Sequence, residues 1–129
     1  MGNRLGAEKR LLPKLGARGE ALACTLLKEK GYKILERNFK TPIGEIDIVA
    51  REGQTLVFVE VKTRESTAFG SAKWAVDQKK QQKLSRLALY YLNLKAWKDR
   101  PARFDVVAVD LGRQGERIEL FRNAFDLVG

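Results

Sequence analysis

The spacing of apolar and polar positions changes several times along the chain, and each change marks an element. From Arg18 the period is helical: Leu22, Ala23, Leu26 and Leu27 share a face, and Gly31 follows as a C-terminal stop. Three strand-like runs come next, Tyr32 to Phe39, Glu45 to Arg51 and Thr55 to Thr63. Pro42-Ile43-Gly44 and Glu52-Gly53-Gln54 separate them. The second and third runs are rich in Ile, Val and Phe and short enough to form an antiparallel hairpin. A long helix is predicted from about Lys73 to Leu94, on the stripe Leu84, Leu87, Ala88, Tyr91 and Leu92. Arg100-Pro101 breaks it, Phe104 to Val109 alternates like a strand, and a last strand lies around Ile118 to Phe121.

The order α-β-β-β-α-β places a helix between two strands, which implies a right-handed crossover joining parallel strands. The expected fold class is therefore α/β, a mixed sheet flanked by helices. A chain of 129 residues suits one domain, here 16–129. Residues 1–15 read as a basic, flexible arm, with Pro13 and the adjoining Gly16 interrupting regular structure.

Charge narrows the partners. Twenty-five Lys and Arg against sixteen Asp and Glu give a formal +9. Such a surplus attracts polyanions through counterion release, which makes nucleic acid the first partner to consider. The alternative is that excess lysine serves solubility. With one cysteine and no histidine, disulfides within the chain, Cys/His zinc sites and His-based catalytic triads are excluded. No run of apolar residues is long enough for a membrane span, and the N-terminal charges precede no apolar signal region. A cytoplasmic protein with no membrane partner is expected.

Hairpin geometry brings the chemistry together. If the turn centres between Gly53 and Gln54, residues whose numbers sum to 107 face each other, so Asp47 opposes Glu60 and Glu45 opposes Lys62. Glu60, Lys62 and Asp47 then share one side of the sheet, while Ile46, Ile48, Val57, Val59 and Val61 fill the other. Two opposed carboxylates repel, and a divalent cation between them relieves this. All-oxygen ligands point to Mg²⁺ or Mn²⁺, which would activate water for attack on a phosphate, with Lys62 stabilising the charge that develops there. The same spacing also fits a solvated salt bridge at a hairpin end.

Gly44-Glu45-Ile46-Asp47, twelve intervening residues and then Glu60-Val61-Lys62 resembles the PD-(D/E)xK nuclease signature, with Ile46 where the proline would stand. Gly19-Glu20-Ala21, Gly31-Tyr32, Arg37-Asn38, Phe58 to Arg64 and Phe104-Asp105-Val106-Val107 extend the likeness. From about Gly16 to Asp110 the chain resembles the YraN family, a bacterial group with a restriction-endonuclease-like αβββαβ core, and is similar to archaeal Holliday-junction resolvases. The resemblance implies a metal-dependent endonuclease acting on DNA, branched or structured DNA included. It implies Glu20, Asp47, Glu60 and Lys62 as catalytic residues, and Asp47, Glu60 and the Val61 backbone carbonyl as metal ligands. By analogy with the resolvases it also raises a homodimer. Glu20 by itself is an ordinary boundary carboxylate.

Asp77, Lys80 and Gln81 continue the apolar face of the long helix and are read as pointing into the catalytic cleft, snorkelling being the alternative. Lys79, Lys83 and Arg86 are phosphate contacts or a solvated face. Arg64 begins a segment running to Lys73 that carries Phe69-Gly70, with Trp74 just beyond it, read as a substrate loop, the alternative being that its aromatics cap the core. Two other readings stay open: a nucleic-acid-binding protein of nuclease fold without efficient catalysis, and a basic protein of RNA or ribosome biology.

Overall fold

The computed structural model describes residues 4–65, 76–97, 99–112 and 115–126, with side chains from Leu15 onward. Helix α1 (Arg4–Glu29) leads into strands β1 (Lys33–Thr41), β2 (Gly44–Glu52) and β3 (Thr55–Arg64). Helix α2 (Gln78–Leu94) and strands β4 (Ala102–Gly112) and β5 (Gly115–Phe125) follow. The backbone of α1 continues through Pro13 and Gly16, where the sequence pattern predicts an interruption. A proline within a helix forfeits one backbone hydrogen bond, and in a helix of 26 residues the remaining bonds carry the element across it. The predicted substrate loop beyond Glu65, with Phe69, Gly70 and Trp74, lies outside the described residues.

Both helices stop and start for local reasons. Gly31, at φ +92°, ends α1 in a Schellman turn: Tyr32 N donates to Leu27 O at 2.9 Å and Gly31 N to Lys28 O at 3.0 Å. Asp77 caps α2, its Oδ1 accepting from Lys80 N at 2.8 Å, so the helix begins after the predicted Lys73. The stripe Leu84, Leu87, Ala88, Tyr91 and Leu92 is buried as its spacing predicts.

The five strands lie in the order β1-β2-β3-β4-β5. β3 and β4 are parallel, joined by the segment that holds α2, and the other neighbours are antiparallel. Two apolar layers cover the two faces. Leu27, Tyr32, Ile48, Val57, Val59, Val107 and Val109 pack under α1, and Ile46, Val49, Phe58, Leu87, Tyr91, Phe104 and Val106 pack under α2. Each layer has its own stitching. Gly19 lets α1 approach β3 so closely that a Cβ there would collide with the Thr63 side chain. Under α2, Phe39 and Phe58 meet the Tyr91 ring edge-on at 5.0 and 5.7 Å.

The β2–β3 register is the predicted one, Glu52↔Thr55 through Ile48↔Val59, all summing to 107. It ends one pair short of Asp47 and Glu60. There the alternation also breaks. Arg37↔Ile48 and Phe39↔Ile46 pair across β1 and β2, but the intervening Asn38 and Asp47 do not, and Asn38 takes φ +52°. Ile48 packs beneath α1 and Ile46 beneath α2, so the strand changes faces between them. The prediction that Ile46 and Ile48 share a face is corrected: it assumed a regular strand, and the left-handed Asn38 turns both strands over.

Candidate metal centre

The face change decides which carboxylates meet. With Ile46 turned beneath α2, Glu45 falls on the α1 side, where Glu20 projects from its helix. Glu20, Glu45 and Asp47 offer carboxylate oxygens that all lie within 4.8 Å of one another. Asp47 is fixed in the gap between β2 and β3: its Oδ2 accepts from Val61 N at 2.9 Å, in the position a ladder carbonyl would occupy. In an antiparallel ladder a residue directs its N–H and C=O toward the same neighbour, so the Val61 carbonyl faces this gap too.

Glu60 approaches from the other side. It lies beyond Phe58 on the α2 face of β3, and its Oε1 is 3.6 Å from Lys80 Nζ. Expected as Asp47's directly opposed partner, it stands outside the triangle of Glu20, Glu45 and Asp47, yet its charge still acts on Asp47. Burial first, then Glu60, and to a smaller degree Glu20 and Glu45, raise the Asp47 pKa to about 7 against the lowering effect of the Val61 N–H. The site is therefore short of positive charge.

The other predicted residues divide by what they touch. Lys62 is half-buried and follows Glu60 by two on the same face of β3. Lys80 Nζ lies 3.6 Å from Glu60 Oε1, with its side chain 44% exposed. Gln81 is spent locally, its Nε2 donating to Val76 O at 2.7 Å, and Asp77 is spent as the α2 cap. Arg64 turns to its cross-strand neighbour Asp110, with Nε 3.7 Å from Oδ2. Lys79, Lys80, Lys83 and Arg86 line an open cleft of about 530 Å³ beside the β1–β2 turn. Glu45 is the site residue that sequence reasoning missed. Its signal was its place two residues before Asp47, but regular alternation assigned it to Lys62.

A second polar cluster lies on the α1 face toward the β2–β3 turn. Asp105, fully buried, accepts from Tyr32 Oη at 2.6 Å, Arg103 Nε at 3.0 Å and Asn123 N at 2.9 Å. Arg103 and Arg122 both reach Glu52 Oε1, at 2.6 and 2.7 Å. Every contact of this cluster is internal to the fold. It plugs the bulge where β4 and β5 slip register between Phe104 and Val106.

A mixed sheet between two helices, with carboxylates converging at a strand break, defines an α/β domain of the restriction-endonuclease-like type. The chain matches the model of Uncharacterised protein family UPF0102 over residues 19–109 and belongs to that family, the YraN family. It is 49% identical over 114 residues to a UPF0102 protein of Syntrophus aciditrophicus, covering 88% of this chain and 90% of the relative. The UPF0102 protein of Moorella thermoacetica is 51% identical over 113 residues, covering 85% and 93%. That of Geotalea daltonii is 52% identical over 114 residues, covering 88% and 90%. Among the described residues no helix is long and apolar enough to cross a membrane.

Proposed function

We propose that this chain is a divalent-metal-dependent endonuclease that hydrolyses phosphodiester bonds of DNA, branched or structured DNA included, in the cytoplasm. The observation that carries this reading is the convergence of Glu20, Glu45 and Asp47 at the break between β2 and β3. Three like charges in a partly buried site repel each other, and the Asp47 pKa, raised by burial first, then by Glu60 and to a smaller degree by Glu20 and Glu45, shows a site short of positive charge. The donors are all oxygen, which suits a hard cation such as Mg²⁺ or Mn²⁺. Glu20, Glu45 and Asp47 would hold it, with Glu60 and the Val61 carbonyl at its side. Bound there, it supplies Lewis-acid polarisation of a phosphate oxygen.

The chain's own groups do the rest. The Val61 N–H fixes the orientation of Asp47, so that one oxygen is committed and the other is free to bind. Lys62, on the Glu60 side of β3, supplies positive charge where the phosphate gains negative charge during attack. Lys79, Lys83 and Arg86 attract the backbone to the adjacent cleft. None of this needs histidine.

The test is cleavage of duplex, flap, junction and RNA substrates by purified protein with and without Mg²⁺. The parent should cut DNA only with the metal, and Asp47→Asn and Lys62→Ala should each lose at least about 100-fold in rate, the scale of removing one transition-state contact. A parent that binds DNA yet cuts no substrate would be a binding protein of nuclease fold. Variants that match the parent's rate would remove these residues from the mechanism.

A further inference from the structure

The cleft beside α2 combines two kinds of surface. Lys79, Lys83 and Arg86 are exposed and recur at i, i+4 and i+7, one cationic stripe along the helix. At about 1.5 Å per residue the stripe rises about 10 Å, roughly three steps of a stacked strand at about 3.4 Å each. Facing it, on the β1–β2 turn, is Ile43, a large apolar side chain 50% exposed in the cleft lining. The turn that carries it is pinned. Thr41 Oγ1 donates to Gly44 O at 2.9 Å and accepts from Ile43 N at 3.2 Å. Behind it, Gly44 lets Lys83 and Leu87 pack close: a Cβ there would stand 3.2 Å from Lys83 Cε. Asp77, the acidic residue of the lining, is committed to capping α2.

A cationic stripe alone would suit the phosphates of any duplex. A rigid apolar lip opposite the stripe suits something else, because the base faces of a duplex are stacked on one another and hidden. Single strands present phosphate on one side and apolar base faces on the other, and grooves that bind them pair cations with side chains, commonly aromatic, that cover those faces; an exposed isoleucine offers the apolar cover without aromatic stacking. The cleft's volume of about 530 Å³ falls in the range of sites that enclose most of a small ligand, room enough for a short single-stranded stretch. At its inner end Lys80 meets Glu60, which joins the cleft to the carboxylates.

We infer that this cleft takes a single-stranded segment of DNA, its phosphates along Lys79, Lys83 and Arg86 and a base face against Ile43, and leads it toward Asp47. The inference rests on the nucleic-acid reading above and names the form of substrate that reading leaves open.

Binding in EDTA separates the two, because it needs neither metal nor turnover. The full chain is titrated with an oligonucleotide duplex bearing a single-stranded tail, with 2-aminopurine at the first unpaired position. The parent should bind the tailed duplex more tightly than the blunt one and change the aminopurine fluorescence. Ile43→Ala should weaken tail binding about five-fold, the low end of base-stacking losses, and abolish most of the fluorescence change, with Ile43→Phe restoring both. Lys83→Gln should instead lower the log–log salt slope on single strands by about 0.7. A parent indifferent to the tail, or an Ile43→Ala that keeps the full fluorescence change, overturns the inference and leaves the nuclease reading standing. A parent that binds neither DNA overturns both.

Discussion

In the proposed mechanism Asp47 carries more of the chemistry than any other residue, and its titration makes its setting measurable. In the unfolded chain its pKa is near the ordinary aspartate value of 3.8, and in the folded chain it is raised to about 7. Between those values the folded state holds a proton that the unfolded state has lost. The group's contribution to stability is therefore full below about pH 4 and declines as pH rises through about 7. Carboxylates remote from Asp47 contribute alike to parent and variant, so the difference between the parent and Asp47→Asn reports the ionisation of Asp47 together with its repulsion by the neighbouring carboxylates. In metal-free denaturant unfolding, Asp47→Asn should gain on the parent as pH climbs from 4 to 8, by up to about 4 kcal/mol and less as water screens the half-buried carboxylate. The asparagine Oδ1 can still accept from the Val61 N–H, so the fold is retained. A difference that stays flat across this range would mean that Asp47 is ionised at little cost and that the carboxylates do not converge in solution.

Elements place the acidic residues, and two contacts do most of the placing. The first is Gly19 against Thr63, which sets the depth of α1 and with it the position of Glu20. Gly19→Ala puts a methyl into Thr63 and should cost about 1–3 kcal/mol in unfolding free energy, the range of overpacked sites, with Thr63→Ala returning part of it. A neutral Gly19→Ala would show that α1 rides further from the sheet. The second is Asp105, which holds Tyr32 at the start of β1, Arg103 on β4 and the Asn123 amide on β5. Asp105→Ala leaves the buried Tyr32 hydroxyl without its acceptor and Arg103 with Glu52 as its remaining carboxylate, and should cost about 1–3 kcal/mol by denaturant unfolding, while a loss well under about 1 kcal/mol would mean that water replaces the carboxylate. The legibility of these elements from sequence follows their regularity. The α2 stripe, the sum-107 register and the parallel β3–β4 pair each depend on one uniform period. The site depends on where the period fails. Asn38 offers a hint, since asparagine tolerates positive φ better than most residues, but alternation alone sends Ile46 to the wrong face and Glu45 to the wrong partner. Likewise Glu20 is distant in sequence from Asp47, and only the docking of α1 brings the two together.

At the scale of the whole molecule, the formal charge of +9 and the small acidic centre describe a division of labour. The cations of α2 gather along the cleft, while the triangle of Glu20, Glu45 and Asp47 keeps a local concentration of negative charge at the sheet's break. A basic surface would bring a polyanion near, and a cation at the acidic centre would let a phosphate approach the carboxylates themselves. That coupling is the central claim, and titration of Mn²⁺ or Mg²⁺ into the metal-free protein by calorimetry at pH 6, 7 and 8 tests it most directly. The parent should take up the cation with release of protons, more tightly as pH rises through about 7, because Asp47 must ionise to bind. Asp47→Asn and Glu20→Gln should each weaken uptake about ten-fold or more, and Lys62→Ala should leave it in place. A parent that takes up no cation at millimolar concentration, or an Asp47→Asn that binds as tightly as the parent with the same proton release, would contradict the account.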